Sequence, residues 1–125
     1  MDFNELITHA ESVLGSRKIN ENAWVGSVAA AILSDSGKVY TGVCIDMPCS
    51  IGFCAEHAAI AAMLTAGESK IIKIVAISED GILPPCGRCR EFICQIHADN
   101  IETKIMIAPK KVVRLDDLLP FRWDG

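Results

Sequence analysis

Two short stretches constrain this chain more than any others: Cys54-Ala55-Glu56-His57 and Pro84-Pro85-Cys86-Gly87-Arg88-Cys89-Arg90. Together they supply three thiols and a carboxylate, which is what a catalytic zinc site requires. Zinc takes thiolates well and is usually four-coordinate. A catalytic site supplies three protein ligands and keeps the fourth place for water. Cys54, Cys86 and Cys89 can be those three. Glu56 is too close in sequence to Cys54 to be an obvious fourth ligand. A carboxylate beside zinc-bound water has another use, because it can take a proton and hand it on.

Residues two apart on a regular helix face nearly opposite ways. Cys54 and Glu56 therefore share a site only if Cys54 sits at the very start of a helix. The run Ala55 to Ala66 is good helix material, and Gly67 follows where a C-terminal glycine is expected. The second stretch repeats the arrangement. Pro84-Pro85 cannot be helix interior, and Gly87 onward reads as a turn opening a helix through His97. Both cysteine sets are then expected at helix N-termini, where free N–H groups and the macrodipole favour thiolates.

Cys-Ala-Glu followed by Pro-Cys-Gly-x-Cys-Arg resembles the zinc-dependent cytidine deaminases. Gly81-Ile82-Leu83 ahead of the second motif, Leu118-Leu119-Pro120, and the ending Trp123-Asp124-Gly125 look most like the blasticidin-S deaminase branch. The likeness runs from about Val28 to the end. It implies a three-layer α-β-α fold and one zinc on Cys54, Cys86 and Cys89. It implies that zinc activates a water, that Glu56 takes its proton, and that hydroxide attacks C4 of a cytosine ring. Glu56 would then protonate the ring and the leaving ammonia. It further implies a small nucleoside-type substrate (cytidine, deoxycytidine or an analogue such as blasticidin S) and a homotetramer with sites at subunit contacts. Families with Cys-Ala-Glu often continue with Arg as a counterweight to the thiolates. Here the position is His57, a weaker and pH-dependent cation, and Arg90 is expected to carry most of that role.

The sugar contacts depart from the family. Where typical members have Gly-x-Asn-x-Glu, this chain has Gly42-Val43-Cys44-Ile45-Asp46. A thiol is a weak donor and acceptor and cannot replace a side-chain amide. Asp46 keeps the carboxylate on a shorter stem. The family's ring-stacking Phe falls near Gly26. Cys44, Asp46 and Trp123 are the candidate substrate contacts, with the C-terminal residues expected to matter more than Cys44.

At 125 residues the whole chain, 1–125, is expected to be one catalytic domain with its own core. The net charge is −4 and no basic run appears, which argues against a nucleic acid polymer as substrate. The start Met1-Asp2-Phe3-Asn4-Glu5 shows no signal peptide, and no apolar run approaches a membrane span. Six cysteines without a leader read as free or metal-bound thiols in a reducing cytoplasm.

Along the chain, Asp2 to Leu14 has apolar residues at helical spacing. Trp24 to Leu33 and Lys38 to Ile45 read as a hairpin around Ser34-Asp35-Ser36-Gly37. Ile71 to Ser78, Thr103 to Ala108 and Val112 to Arg114 read as further strands, and Leu115 to Leu119 as a helical turn. The near-continuous apolar character of Val28 to Leu33 argues burial on both faces. The expectation is an α/β domain, with a mixed sheet of about five strands covered by helices on both faces.

Two plainer readings compete with catalysis. Cys86-Gly87-Arg88-Cys89 could be a redox pair, but a dithiol does not require Cys54 and Glu56. A structural zinc would need a fourth protein ligand, which Cys44, Cys49 or His57 could supply. That alternative is a zinc-stabilised binding or structural protein without turnover; Glu56 favours catalysis. Cys94 lies about 140° round the helix from Cys89 and reads as a core residue. Glu91 and His9 read as solvated, and His97 as a partner of a helix C-terminal dipole.

Overall fold

The computed structural model describes residues 1–124; Gly125, the end of the Trp123-Asp124-Gly125 motif, lies outside them. The twelve-residue strand β2 (Ala23–Ser34) is the centre of the molecule. Its side chains alternate between two cores. Ala29, Ala31 and Leu33 face helix α1 (Phe3–Glu11), where they meet Phe3, Leu6 and Ala10. Ala30 and Ile32 face helix α2 (Ala55–Thr65), where they meet Ala55, Ala59, Ile60 and Met63. The apolar run therefore reflects burial on both faces, as the sequence pattern predicts. Each large side chain fully buried here contributes roughly 1.5–3 kcal/mol over its exposed state.

The sheet has seven strands. On one edge of β2 lies β3 (Val39–Asp46), antiparallel. On the other lie β1 (Arg17–Asn20) and β4 (Ile71–Ser78), both antiparallel. β4 pairs on its far side with β5 (Gly81–Leu83) and, in parallel, with β6 (Lys104–Ala108). β7 (Lys111–Arg114) closes that edge, antiparallel to β6. Helix α3 (Gly87–Ile96) and a 3₁₀ helix (Ala98–Glu102) connect β4 and β5 to β6. A one-turn helix α4 (Leu115–Leu118) follows β7. The arrangement is a three-layer α-β-α fold with a mixed sheet, as expected. The expected count of about five strands is corrected to seven by β1 and β5, two short stretches that the sequence pattern does not mark as strands.

Three local features place the site. Gly42 on β3 lies directly under α2, and a Cβ there would sit 2.3 Å from the Ala59 nitrogen. Only glycine lets the helix approach this closely. Gly26 has φ +88°, and a Cβ would lie 2.1 Å from the Gly15 carbonyl oxygen. It sits where the β2–β3 register shifts, so β2 kinks beside the site. Asn100, fully buried, pins α3 to the sheet. Its Oδ1 accepts from the Ile71 nitrogen at 2.8 Å, and its Nδ2 donates to the carbonyls of Ser69 and Ile93. No helix among the described residues is long and apolar enough to cross a membrane.

Candidate active site

Cys54 and Cys86 are the N-cap residues of α2 and α3, with extended backbone (ψ 157° and 168°). Neither side chain makes a capping hydrogen bond. Both sulfurs are thus left to each other and to Cys89, which stands in the first turn of α3. Cys54 Sγ lies 3.4 Å from Cys86 Sγ, and Cys86 Sγ lies 3.5 Å from Cys89 Sγ. All three sulfurs fall within 4.8 Å of one another, and no disulfide joins them. Tetrahedral zinc with Zn–S bonds of about 2.3 Å holds its sulfurs ~3.8 Å apart, so this trio fits one zinc ion.

The trio is electrostatically uneven. Burial pushes the Cys54 thiol up, as does its hydrogen bond with Cys86. Cys89 is buried deepest, and burial, with the Glu56 charge behind it, pushes its thiol far up. Burial also acts to raise Cys86. The backbone N–H groups of Cys89 and Arg88 and the neighbouring thiols outweigh it, and its pKa falls. Those N–H groups are the free donors of the α3 N-terminus acting on a thiolate.

Glu56, in the first turn of α2, is 5% exposed. Burial raises its pKa above the ordinary carboxyl value. Its carboxylate is not part of the sulfur cluster. It lines the same cavity, ≈ 600 Å³ in volume, as Cys54 and Cys86. Cys44 and Asp46, at the end of β3, line that cavity as well. Cys44 Sγ is already engaged. It lies 3.1 Å from Ser27 Oγ and accepts from the Val28 nitrogen at 3.3 Å. At 3.8 Å it donates to Asp46 Oδ2.

The other candidates lie elsewhere. The ring of His57 lies between Phe53 and Phe92, with centroids 5.0 and 4.6 Å away. Burial, then the Arg88 charge, pulls its pKa below the usual imidazole value. The ring is thus biased toward its neutral form, whereas a counterweight to thiolates needs a cation. The Arg90 guanidinium donates to the carbonyls of Pro85 at 2.9 Å and Leu118 at 3.2 Å. It therefore ties the loop bearing Cys86 to α4. Trp123 is 73% exposed and outside the cavity lining. Its nitrogen donates to Glu91 Oε1 at 3.3 Å, so Glu91 holds the tail to α3 rather than being merely solvated. His97 likewise differs from its reading, since its Nδ1 accepts from the Asp99 nitrogen and caps the 3₁₀ helix. Cys94 is buried in the core, as expected.

Sequence reasoning missed Ser27, Phe53 and Arg88, all of which line the cavity. A signal for Arg88 was present: it stands between two candidate ligands, Cys86 and Cys89, at a helix start. Ser27 and Phe53 are visible only once the β2 kink and the loop before α2 exist.

The model of the cytidine and deoxycytidylate deaminase zinc-binding region matches residues 4–104. The chain belongs to this deaminase family. A cytidine deaminase of Mycobacterium tuberculosis is 31% identical over 96 residues, covering 75% of this chain and 70% of that protein. A cytidine deaminase of Sporosarcina psychrophila is 33% identical over 102 residues, covering 76% and 70%. The crystal structure of the Mycobacterium tuberculosis cytidine deaminase superposes with a TM-score of 0.82 at 28% identity, covering 98% of each chain. Family membership and the sulfur trio together make this chain a zinc-dependent hydrolytic deaminase.

One consequence separates the two residues beside the ligands. Above neutral pH, Arg90→Ala is expected to lose zinc to a chelator faster than His57→Ala. Arg90 restrains the Cys86 loop through two carbonyls, while a neutral imidazole adds no charge. The measurement is zinc release to a colorimetric chelator at pH 8; the reverse order would make His57 the main support.

Proposed function

We propose that the enzyme replaces the exocyclic amine of a cytosine ring with oxygen, using one water and releasing ammonia. The ring is carried on a small nucleoside-type molecule. A single observation carries this reading: a buried carboxylate and two sulfurs of a zinc-competent trio, Cys54 and Cys86, open onto one cavity of nucleoside size. Zinc held by Cys54, Cys86 and Cys89 supplies Lewis-acid activation of water at neutral pH.

The chain's own residues do the rest. Glu56 takes the proton of the attacking water and delivers it to the ring nitrogen. It then serves the departing amine in the same way. Burial suits it to both directions of transfer, since a carboxyl whose pKa is raised takes up a proton more readily than an ordinary carboxylate and can still return it. A bound cation favours its ionised form, which sets it ready as the base. Phe53 and Val28 offer apolar surface to the ring.

The sugar side is where this chain departs from its family. The Cys44 thiol is spent on Ser27, Val28 and Asp46. Hydroxyl recognition therefore falls to Asp46 and Ser27, with Arg88 at the mouth. We place the chain with the blasticidin-S deaminase branch on Gly81-Ile82-Leu83, Leu118-Leu119-Pro120 and Trp123-Asp124. We further propose a cytoplasmic homotetramer in which the exposed Phe121 and Trp123, 90% and 73% accessible, meet neighbouring copies at the substrate sites. Six free cysteines suit a reducing compartment.

The test is a side-by-side assay of cytidine, deoxycytidine and blasticidin S, on the full chain and on a chain lacking Phe121 to Gly125. The truncation is expected to raise KM or abolish activity while leaving zinc bound. Micromolar KM for cytidine, unchanged by truncation, would remove the branch assignment and leave an ordinary cytidine deaminase with an unusual sugar pocket.

A further inference from the structure

On the opposite face of the sheet, three cations stand in one row. Lys73 on β4 pairs directly with Lys104 on β6, and Lys104 pairs directly with Arg114 on β7. All three share the face of Val75, Ile77 and Met106, which is the α1 face. α1 packs on β2, β3 and β4. Beyond its first turn a cavity of ≈ 410 Å³ opens over β6 and β7. The three cations line it together with Phe3, Val112 and Asp117. It shares no lining residue with the zinc cavity.

Directly opposed like charges destabilise a strand pair, so a row of three needs a reason. Partial neutralisation is present but incomplete. Lys73 Nζ donates to the Met1 carbonyl at 2.7 Å and lies 5.3 Å from the centre of the Phe3 ring. Arg114 lies 3.7 Å from Asp116, both half exposed. Asp117 spends one carboxylate oxygen on the Arg114 nitrogen. Among the described residues, Lys104 is in no ion pair or side-chain hydrogen bond. Protection of an exposed sheet edge does not account for the row. That task needs charge on β7, where Lys111 and Arg114 supply it, and not on the interior strands β4 and β6. The chain as a whole carries −4, so this concentration of positive charge runs against its balance.

We propose that this cavity binds a polyphosphate group, either free or carried on a nucleotide. A carboxylate answers one or two of the three charges, while a linear polyphosphate lays its charge along the whole row. In a nucleotide, the half-exposed Val112 is the surface left for the base. The site is independent of the deamination reading.

The test titrates the zinc-loaded full chain with tripolyphosphate and, separately, with adenosine 5′-triphosphate, followed by amide shifts. Shifts are expected at Lys73, Lys104 and Val112 to Asp117. Lys104→Glu should weaken binding about tenfold or more, and Lys104→Gln less. Lys38→Glu, the same charge change in the exposed β2–β3 turn, should leave it unchanged. Both Lys104 variants should retain zinc and deaminase activity, which shows that they fold. Tighter binding of the nucleotide than of tripolyphosphate assigns a nucleotide; equal binding assigns free polyphosphate. Equal weakening by Lys104→Glu and Lys38→Glu, shifts confined to the zinc cavity, or no binding by either probe would overturn the proposal.

Discussion

Glu56→Gln is expected to keep one zinc per chain and to lose deaminase turnover by roughly 10²–10⁴-fold. The amide is nearly isosteric and retains a hydrogen-bonding oxygen, but it can neither accept nor return the proton. The change also removes a buried carboxyl whose pKa is raised by desolvation, so it relieves an ionisation cost. Stability is therefore expected to hold or rise, while kcat falls. That combination separates catalysis from folding, because a structural acid would show the opposite pattern. The measurements are zinc content, thermal melting, and ammonia release from cytidine or blasticidin S. Should zinc be present, Glu56→Gln change nothing and no aminopyrimidine turn over, the chain would be a zinc-stabilised binding protein on a deaminase fold.

The parts of the fold and site that were legible in the sequence are those fixed by local chemistry. Cys54 and Cys86 are readable as helix starts because proline, glycine and helix-forming residues surround them within one or two turns. The strand Ala23–Ser34 is readable because both its faces are apolar. β1 and β5 are not, since Arg17–Asn20 is exposed throughout and Gly81–Leu83 has three residues; each exists by pairing with a longer strand. The need for glycine at position 26 is set by Gly15, eleven positions earlier, whose carbonyl leaves no room for a side chain. His57 reads as a cation on spacing alone. The two rings beside it come from different segments, Phe53 and Phe92, and only the folded chain shows that burial and the Arg88 charge lower its pKa. Arg90 reads as a charge partner, and only the folded chain shows two backbone carbonyls in its reach. The cation row is invisible in sequence because residues 73, 104 and 114 become neighbours only through strand register.

Replacement of any one sulfur ligand is expected to have the largest effect on stability. Cys54→Ala, Cys86→Ala and Cys89→Ala should each lose the metal. Cys49→Ala and Cys94→Ala should keep full zinc content, because neither sulfur belongs to the cluster. A ligand bound only by the native state stabilises it by RT ln(1 + [L]/Kd), about 4 kcal/mol at roughly a thousandfold excess over Kd. Loss of that contribution should lower the Tm on the order of 10–20 °C. Zinc binding to the unsubstituted chain has a further expected consequence. In the metal-free chain Cys54 and Cys89 are held protonated at neutral pH, while Cys86 is nearest to its thiolate. Zinc must then displace protons chiefly from Cys54 and Cys89, so its affinity should fall as the pH is lowered. Calorimetric titration of the metal-free protein in buffers of different ionisation enthalpy counts those protons. Release of between about two and three protons per zinc near pH 7 is the expected result for the full trio, two from Cys54 and Cys89 and the remainder from Cys86. Full zinc retention by Cys89→Ala, or zinc loss in Cys49→Ala, would point to a different ligand set, and in the second case to a closed four-cysteine site with no place for water.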